Sequence, residues 1–266
     1  MRNQVRLRAI FKVGILNTLA YRADFILGVF SGISLVTIQF FIWNTVFINK
    51  NSIGSFSLEE TVTYMAMVWV TYSMYNTQQV SRNIQDKMLS GAITYDFLFP
   101  INYQIFSTIL TYSVNLMNLI ITGSPIFIIA LLFFNIKIPM FINLLYFIFS
   151  IHLSFLISFG ISYIIGLMSV YFKNIEGIIQ VEKFLRIILS GALLPLSFLP
   201  SFINIIADIL PFKGMVSIPI LIYLGKLSGK ILIKSVLIQI FWVLVIFLIG
   251  HLLFNKAIKK LEVFGG

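Results

Sequence analysis

The chain has 266 residues, 59% of them hydrophobic and 11% charged, with a mean hydropathy of +0.99. A soluble domain carries about 25% charge, so this composition excludes one and points to an integral membrane protein without a separate water-soluble domain. The absence of cysteine rules out disulfides, cysteine-ligated metals and thiol catalysis, and the net charge of +10 reads as basic cytoplasmic loops rather than a nucleic-acid surface.

Residues 1–24 carry Arg2, Arg6, Arg8, Lys12 and Arg22, with Val5, Ala9, Val13, Leu16 and Ala20 at helical spacing. The basic stretch runs on too far for a signal peptide. The spacing predicts a weakly amphipathic helix on the inner membrane surface, drawn to anionic lipid; a merely basic tail is the plain alternative.

Six runs then lack any Asp, Glu, Lys or Arg: 25–49, 61–81, 97–136, 138–172, 187–207 and 235–255. Each reaches the roughly 20 residues that a helix needs to cross a bilayer. The third helix is placed to start near Gln104, beyond the Pro-broken 97–103 segment, and the fourth fills most of 141–170. With the N-terminus inside, 13 Lys and Arg residues fall in the cytoplasmic segments 1–24, 76–103, 171–186 and 255–266, and 6 fall outside. That asymmetry puts both termini in the cytoplasm. The expected fold is an all-α integral membrane protein, one transmembrane domain over 1–266 with six transmembrane helices.

Within 76–103, Val80, Ile84 and Met88 recur every four residues among Arg82, Asn83, Gln85, Asp86 and Lys87. Ser81 is a possible N-cap and Gly91 a left-handed stop, so a short amphipathic helix over about ten residues is expected. It either lies on the membrane surface or lays its face in a groove of another protein. At the other end, the helix above Arg186 meets Gly191, Pro195 and Pro200, where it must kink or stop. Beyond these prolines the uncharged core, Gly214 to Gly225, covers about 18 Å as a helix, too little to span. Region 201–232 is therefore read as re-entrant short helices between the fifth and sixth spans.

No P-loop, G-x-S-x-G elbow, H-E-x-x-H motif or paired acidic cluster is present. No catalytic, metal or cofactor residues are assigned. His152 and His251 stand alone, and all nine acidic residues fall at or beyond helix ends, so if the chain moves a solute uphill the energy is expected to come from elsewhere.

Against this background the chain resembles the membrane (permease) subunit of type 2 ABC transporters, in the group of small six-helix permeases without a fused ATPase. The resemblance covers nearly the whole chain. It is carried by Ala20-Tyr21-Arg22-Ala23-Asp24-Phe25, and by Ser90-Gly91-Ala92-Ile93-Thr94-Tyr95 with Leu98 and Pro100. Further on come Ser190-Gly191-Ala192-Leu193-Leu194-Pro195-Leu196 with Pro200, Leu210-Pro211-Phe212, Ile222 to Gly229, and the terminal Gly265-Gly266. Phe99 departs from it, where members often place a basic residue. The resemblance implies cytoplasmic ATP-binding cassette subunits as partners, with ATP bound there and not in this chain. It also implies a second permease copy, identical or a sister subunit. Arg82, Gln85, Asp86, Lys87 and Gly91 would then belong to a coupling helix docked on the ATPase. Ser190, Gly191, Pro195 and Pro200 would form a broken helix at the outer gate. Export of a drug, antimicrobial peptide, lipid or polysaccharide is implied, by a non-enzymatic subunit. An abundance of Ile, Phe, Asn and Lys suggests an AT-rich, bacterial genome and hence a cell-membrane location. A membrane-embedded lipid-modifying enzyme and an ATP-independent carrier or scaffold remain as other readings.

Overall fold

The computed structural model describes the backbone of residues 2–19, 22–96 and 101–264, and the side chains of 7–16, 18, 25–96 and 101–260. The motif positions 20–21, 97–100 and 265–266, and the side chains of 22–24, lie outside the described residues. Among the described residues the chain is helical, with no strand beyond one isolated bridge between Ile53 and Phe56. In order the helices are α1 (Arg2–Leu19), α2 (Arg22–Val46), α3 (Leu58–Tyr75), α4 (Gln78–Leu89), α5 (Ile93–Asp96) and α6 (Tyr103–Asn118). After them come α7 (Ser124–Phe133), α8 (Phe141–Leu167), α9 (Glu176–Leu189), α10 (Ser201–Ile209), α11 (Ser217–Tyr223) and α12 (Gly229–Phe264).

Among the described residues four stretches are long and apolar enough to cross a membrane: Phe25–Val46, Tyr103–Phe133, Phe141–Val170 and Gly229–Lys260. The pair Ser201–Ile209 and Pro211–Tyr223, bent by 80°, makes a fifth if it is one span. The other two charge-free runs are interrupted. Run 61–81 divides at Asn76–Thr77 between α3 and α4, and run 187–207 divides after Leu189. The third span, begun at Tyr103, carries a π-helical turn over Leu119–Gly123 where the Ser124 N–H bonds Leu119 O. The wider turn accommodates Pro125, whose missing N–H and bulky ring disrupt regular α-helix.

Helix α8 is the axis. In its most apolar stretch 56% of residues are buried, against 11–17% in the other three long apolar helices. Ser150, Ser154, Ser158, Ser162 and Gly166 lie four apart on it, and residues at that spacing share one helix face. The four serines are at most 1% exposed. In lipid, helices gain little from apolar burial, and small residues with interhelical hydrogen bonds decide who packs on whom. Gln239 of α12, fully buried, accepts from Ser150 Oγ at 2.8 Å and donates to Gly214 O at 2.7 Å. Ser154 Oγ reaches the same Gly214 carbonyl at 2.9 Å. Ser81 Oγ donates to Ser162 O at 2.7 Å, and Ile84 fills the notch at Gly166.

The basic N-terminal segment is helical, as its spacing predicts, and α1 runs along α6. A Cβ on Gly14 would stand 1.8 Å from Ser113 Oγ, and Phe11 meets Tyr112 at 6.4 Å between ring centres. Gly28 and Gly32 of α2 continue this seam against Thr122 and Ile126.

A Cβ at Gly166 would lie 2.8 Å from Ile84 Cβ, so Gly166→Val is expected to prise α4 from α8 and cost about 1–3 kcal/mol. Gly177→Val, where nothing lies within 4 Å, is expected to cost far less. Thermal unfolding of both variants in detergent checks the difference.

Candidate functional site

The α4 helix starts at Gln78, three residues before the expected Ser81 cap, because the Thr77 and Ser81 hydroxyls are engaged by α8. Its apolar stripe, Val80, Ile84 and Met88, is buried within the chain's own core, so it is not free to enter a partner's groove. Two ion pairs and one backbone contact brace its flanks. Arg82 forks onto Glu176 through Nε (3.1 Å) and Nη2 (2.9 Å). Gln85 donates to Lys173 O at 2.8 Å, and Lys87 Nζ lies 2.6 Å from Asp96 Oδ2. The Arg82 guanidinium, together with Gln180, holds the exposed Glu176 carboxyl below the usual carboxylate range. A carboxylate with a lowered pKa adds stability above its unfolded value and loses it as pH falls through the folded one. The clasp therefore persists at neutral pH.

What remains exposed is the tip: Asn83, Asp86, Leu89 (55% exposed), Ser90 and Gly91, with Tyr95 (70%) beside it. Gly91 takes φ +73 with no atom within 4 Å of a Cβ, the left-handed stop the sequence predicts.

A buried polar joint lies where α3 gives way to α4. The Ser158 hydroxyl donates to Tyr75 O at 2.7 Å, which commits its one proton. Thr77, at 2.8 Å, is then the donor to Ser158, and Ser162, at 2.9 Å, the donor to Thr77. Arg186 of α9 completes the joint, with Nη1 donating to Ser158 Oγ (2.6 Å) and Tyr75 O (3.0 Å). Its Nε donates to Glu182 Oε1 at 2.7 Å. Nη2 lies 2.5 Å from that same oxygen, in ion-pair contact but off the line of a hydrogen bond. Arg186, expected at the cytoplasmic edge, is thus 5% exposed and Glu182 6%.

One turn beyond Arg186, α9 ends earlier than Pro195 alone would require. Gly191 at φ +83 turns the chain, and a Cβ there would lie 2.5 Å from Tyr64 Oη. Tyr64 instead donates to Gly191 O at 2.9 Å, while Ser190 O accepts from Ser217 N at 3.0 Å. Pro195 opens a 3-10 turn over Leu196–Phe198, and Pro200 precedes α10. Phe198 packs against Trp43 and Phe56, each at 5.6 Å.

The same end of the molecule is closed around Glu60, which caps α3 by a reciprocal box with Ser57. Lys226 Nζ lies 2.7 Å from Glu60 Oε2 and 4.3 Å over the Phe56 ring, and Lys137 Nζ lies 3.4 Å from Glu60 Oε1. Connections 134–140 and 224–228 are thereby tied to one carboxylate.

The two groups of residues expected from the sequence are not brought together. Arg82 to Gly91 sit beyond one end of the buried joint and Ser190 to Pro200 beyond the other, linked through α9. Sequence reasoning missed Thr77, Ser158, Ser162 and Glu182. The signal was the serine series at 150, 154, 158 and 162 in an otherwise apolar helix, with Glu182 and Arg186 four apart. Beside the joint, Gln39, Trp69, Tyr72, Asn76, Lys183 and Leu193 line a cavity of about 340 Å³ between α2, α3 and α9. His152 Nδ1 lies 2.5 Å from Ile148 O, and His251 Nε2 contacts Asn255 at 3.2 Å.

Removing one member of a buried pair strands the other. Arg186→Leu is expected to destabilise by about 3–5 kcal/mol, and the double variant with Glu182→Leu to recover much of the loss. Thermal unfolding in detergent measures both.

The family model described as ABC-2 family transporter protein matches residues 33–265. A comparison with curated proteins gave no match. With most of its length covered by that match and several helices apolar enough to span a bilayer, the chain belongs to the ABC-2 transporter family and is a multi-pass membrane protein with the role of a transport permease.

Proposed function

We propose that this chain forms the translocation path of an exporter powered by separate ATP-binding cassette subunits, with a second permease copy completing the path. The observation that carries this reading is the α4 unit: a short helix braced by Arg82–Glu176, Gln85–Lys173 and Lys87–Asp96, presenting an exposed tip. Asp86, Leu89 and Gly91 at that tip dock on the ATPase, while Arg82, Gln85 and Lys87 keep the helix rigid so that a push is not absorbed locally. The push passes through Thr77 and Ser158 to Arg186, and so to α9. Both α3 and α9 border the cavity, so a rigid-body shift of either changes its width, a shear or hinge motion.

In this reading six segments cross the membrane with both termini inside: α2, α3, α6 with α7, α8, α9 with the broken segment, and α12. The excess of basic residues on the α4 side supports that orientation. The bent α10–α11 pair forms re-entrant helices at the outer face, where Ser190, Gly191, Pro195 and Pro200 shape the gate and Glu60 locks it. The bacterial cell membrane, a hydrophobic or amphiphilic cargo and outward direction rest on the composition and the family resemblance.

Two sets of variants separate docking from transmission. Asp86→Arg with Leu89→Arg is expected to abolish co-purification of the ATPase in mild detergent while membrane insertion persists. Thr77→Val is expected to preserve co-purification and lower transport. Normal co-purification and transport in the tip variant would sink the docking assignment.

A further inference from the structure

The cavity between α2, α3 and α9 carries charge of one sign. Its lining includes Lys183 and Arg186 and no carboxylate. The two cations are not equivalent. Arg186 is committed to Glu182, Ser158 and Tyr75 O, and its charge is balanced locally. Lys183 makes no ion pair or hydrogen bond among the described residues. It stands between exposed apolar neighbours on its own helix, Val181 (61% exposed) and Phe184 (63%), and the cavity rim adds Leu193 at 51%. Lys183 lies seven residues into α9, about 10 Å from the helix start at 1.5 Å per residue. Lys183 is itself exposed, so the mouth opens on apolar surface with a cation at its rim. A cation beside apolar surface is a ready partner for an anionic group, and the described residues supply none.

We propose that this cavity is the binding site for an anionic amphiphile. A carboxylate, phosphate or sulfate head is held by Lys183, with Gln39 and Asn76 as further hydrogen-bonding groups. The aliphatic or aryl body lies against Trp69, Tyr72 and Leu193. The volume of about 340 Å³ sits at the low end of ligand pockets, which run about 300–1,000 Å³, so it accepts a head and a short length of tail while the rest extends along the exposed apolar face of α9. The proposal rests on the permease reading above and names the cargo class for it.

Trp69 is a built-in reporter. The full chain in nanodiscs of zwitterionic lipid is titrated with bromine-labelled dodecyl phosphate and, separately, bromine-labelled dodecyltrimethylammonium at equal membrane fraction. Saturable quenching by the phosphate, lost in Trp69→Phe, is expected; the ammonium probe is expected to give only unsaturable background. Lys183→Gln is expected to weaken the phosphate response by at least about tenfold, the cost of losing a charge-assisted hydrogen bond, and Lys183→Arg to retain most of it. Equal quenching by both head groups overturns the proposal, as does wild-type affinity in Lys183→Gln. Adding phosphatidylglycerol separates the two sources of such a ligand: competition identifies a bilayer lipid, and unaltered binding a free amphiphile. The readout needs no ATPase, so failure of the docking variants and failure of this site are told apart.

Discussion

A row of small polar side chains on one apolar helix sets the arrangement of everything around it. Ser150, Ser154, Ser158 and Ser162 of α8 receive α12 through Gln239, the turn at Gly214, the α3–α4 break through Thr77, and α9 through Arg186. A larger residue at any of these positions would hold the neighbour away, and an apolar one at 158 or 154 would take a donor from the carbonyl of Tyr75 or Gly214. Lipid offers no substitute donors, so such groups have to be satisfied inside the protein. Packing and hydrogen bonding therefore act at the same points along one row, and the row specifies which face of each neighbour turns inward.

The buried Glu182–Arg186 pair is the most demanding part of that scheme. Two charges withdrawn from water are compensated only by good geometry and further hydrogen bonds. Arg186 finds both, in Glu182 and in the acceptors that the α3–α4 break leaves open. A continuous helix through 76–77 would have used the Tyr75 carbonyl internally and removed that acceptor. The break that creates α4 and the charge that anchors α9 thus depend on each other. The start of α4 and the end of α9 are joined at one buried point, with Gly191 shortly beyond it in sequence.

At the opposite end a single carboxylate has a comparable role with half-buried partners. Glu60 caps its own helix and gathers Lys137 and Lys226 from two connections distant in sequence. The Trp43, Phe56 and Phe198 rings lie beside it, so the broken segment after α9 is held by stacking on one flank and by the Tyr64–Gly191 and Ser190–Ser217 bonds on the other. The lysines between 213 and 234, which weaken the charge-based orientation, include one whose role is structural: Lys226 is tied to Glu60 and to Ser55 O at 2.6 Å.

Much of this architecture was legible in the sequence. Composition determined the membrane class, the charge-free runs located α2, α6 with α7, α8 and α12, and Gly91 and Gly191 marked stops that the backbone makes at positive φ. These features come from local chemistry, which hydropathy and backbone preference read directly. Tertiary structure decided which surface takes the Val80, Ile84, Met88 stripe, and that Arg186 is buried rather than at a water-facing edge. Period and hydropathy describe one segment at a time, and an amphipathic stripe does not say whose groove it fills. The bonds that settle these points join residues 81 and 111 positions apart. They form because serines and glycines permit close approach, and that is a property of paired surfaces that no single segment carries.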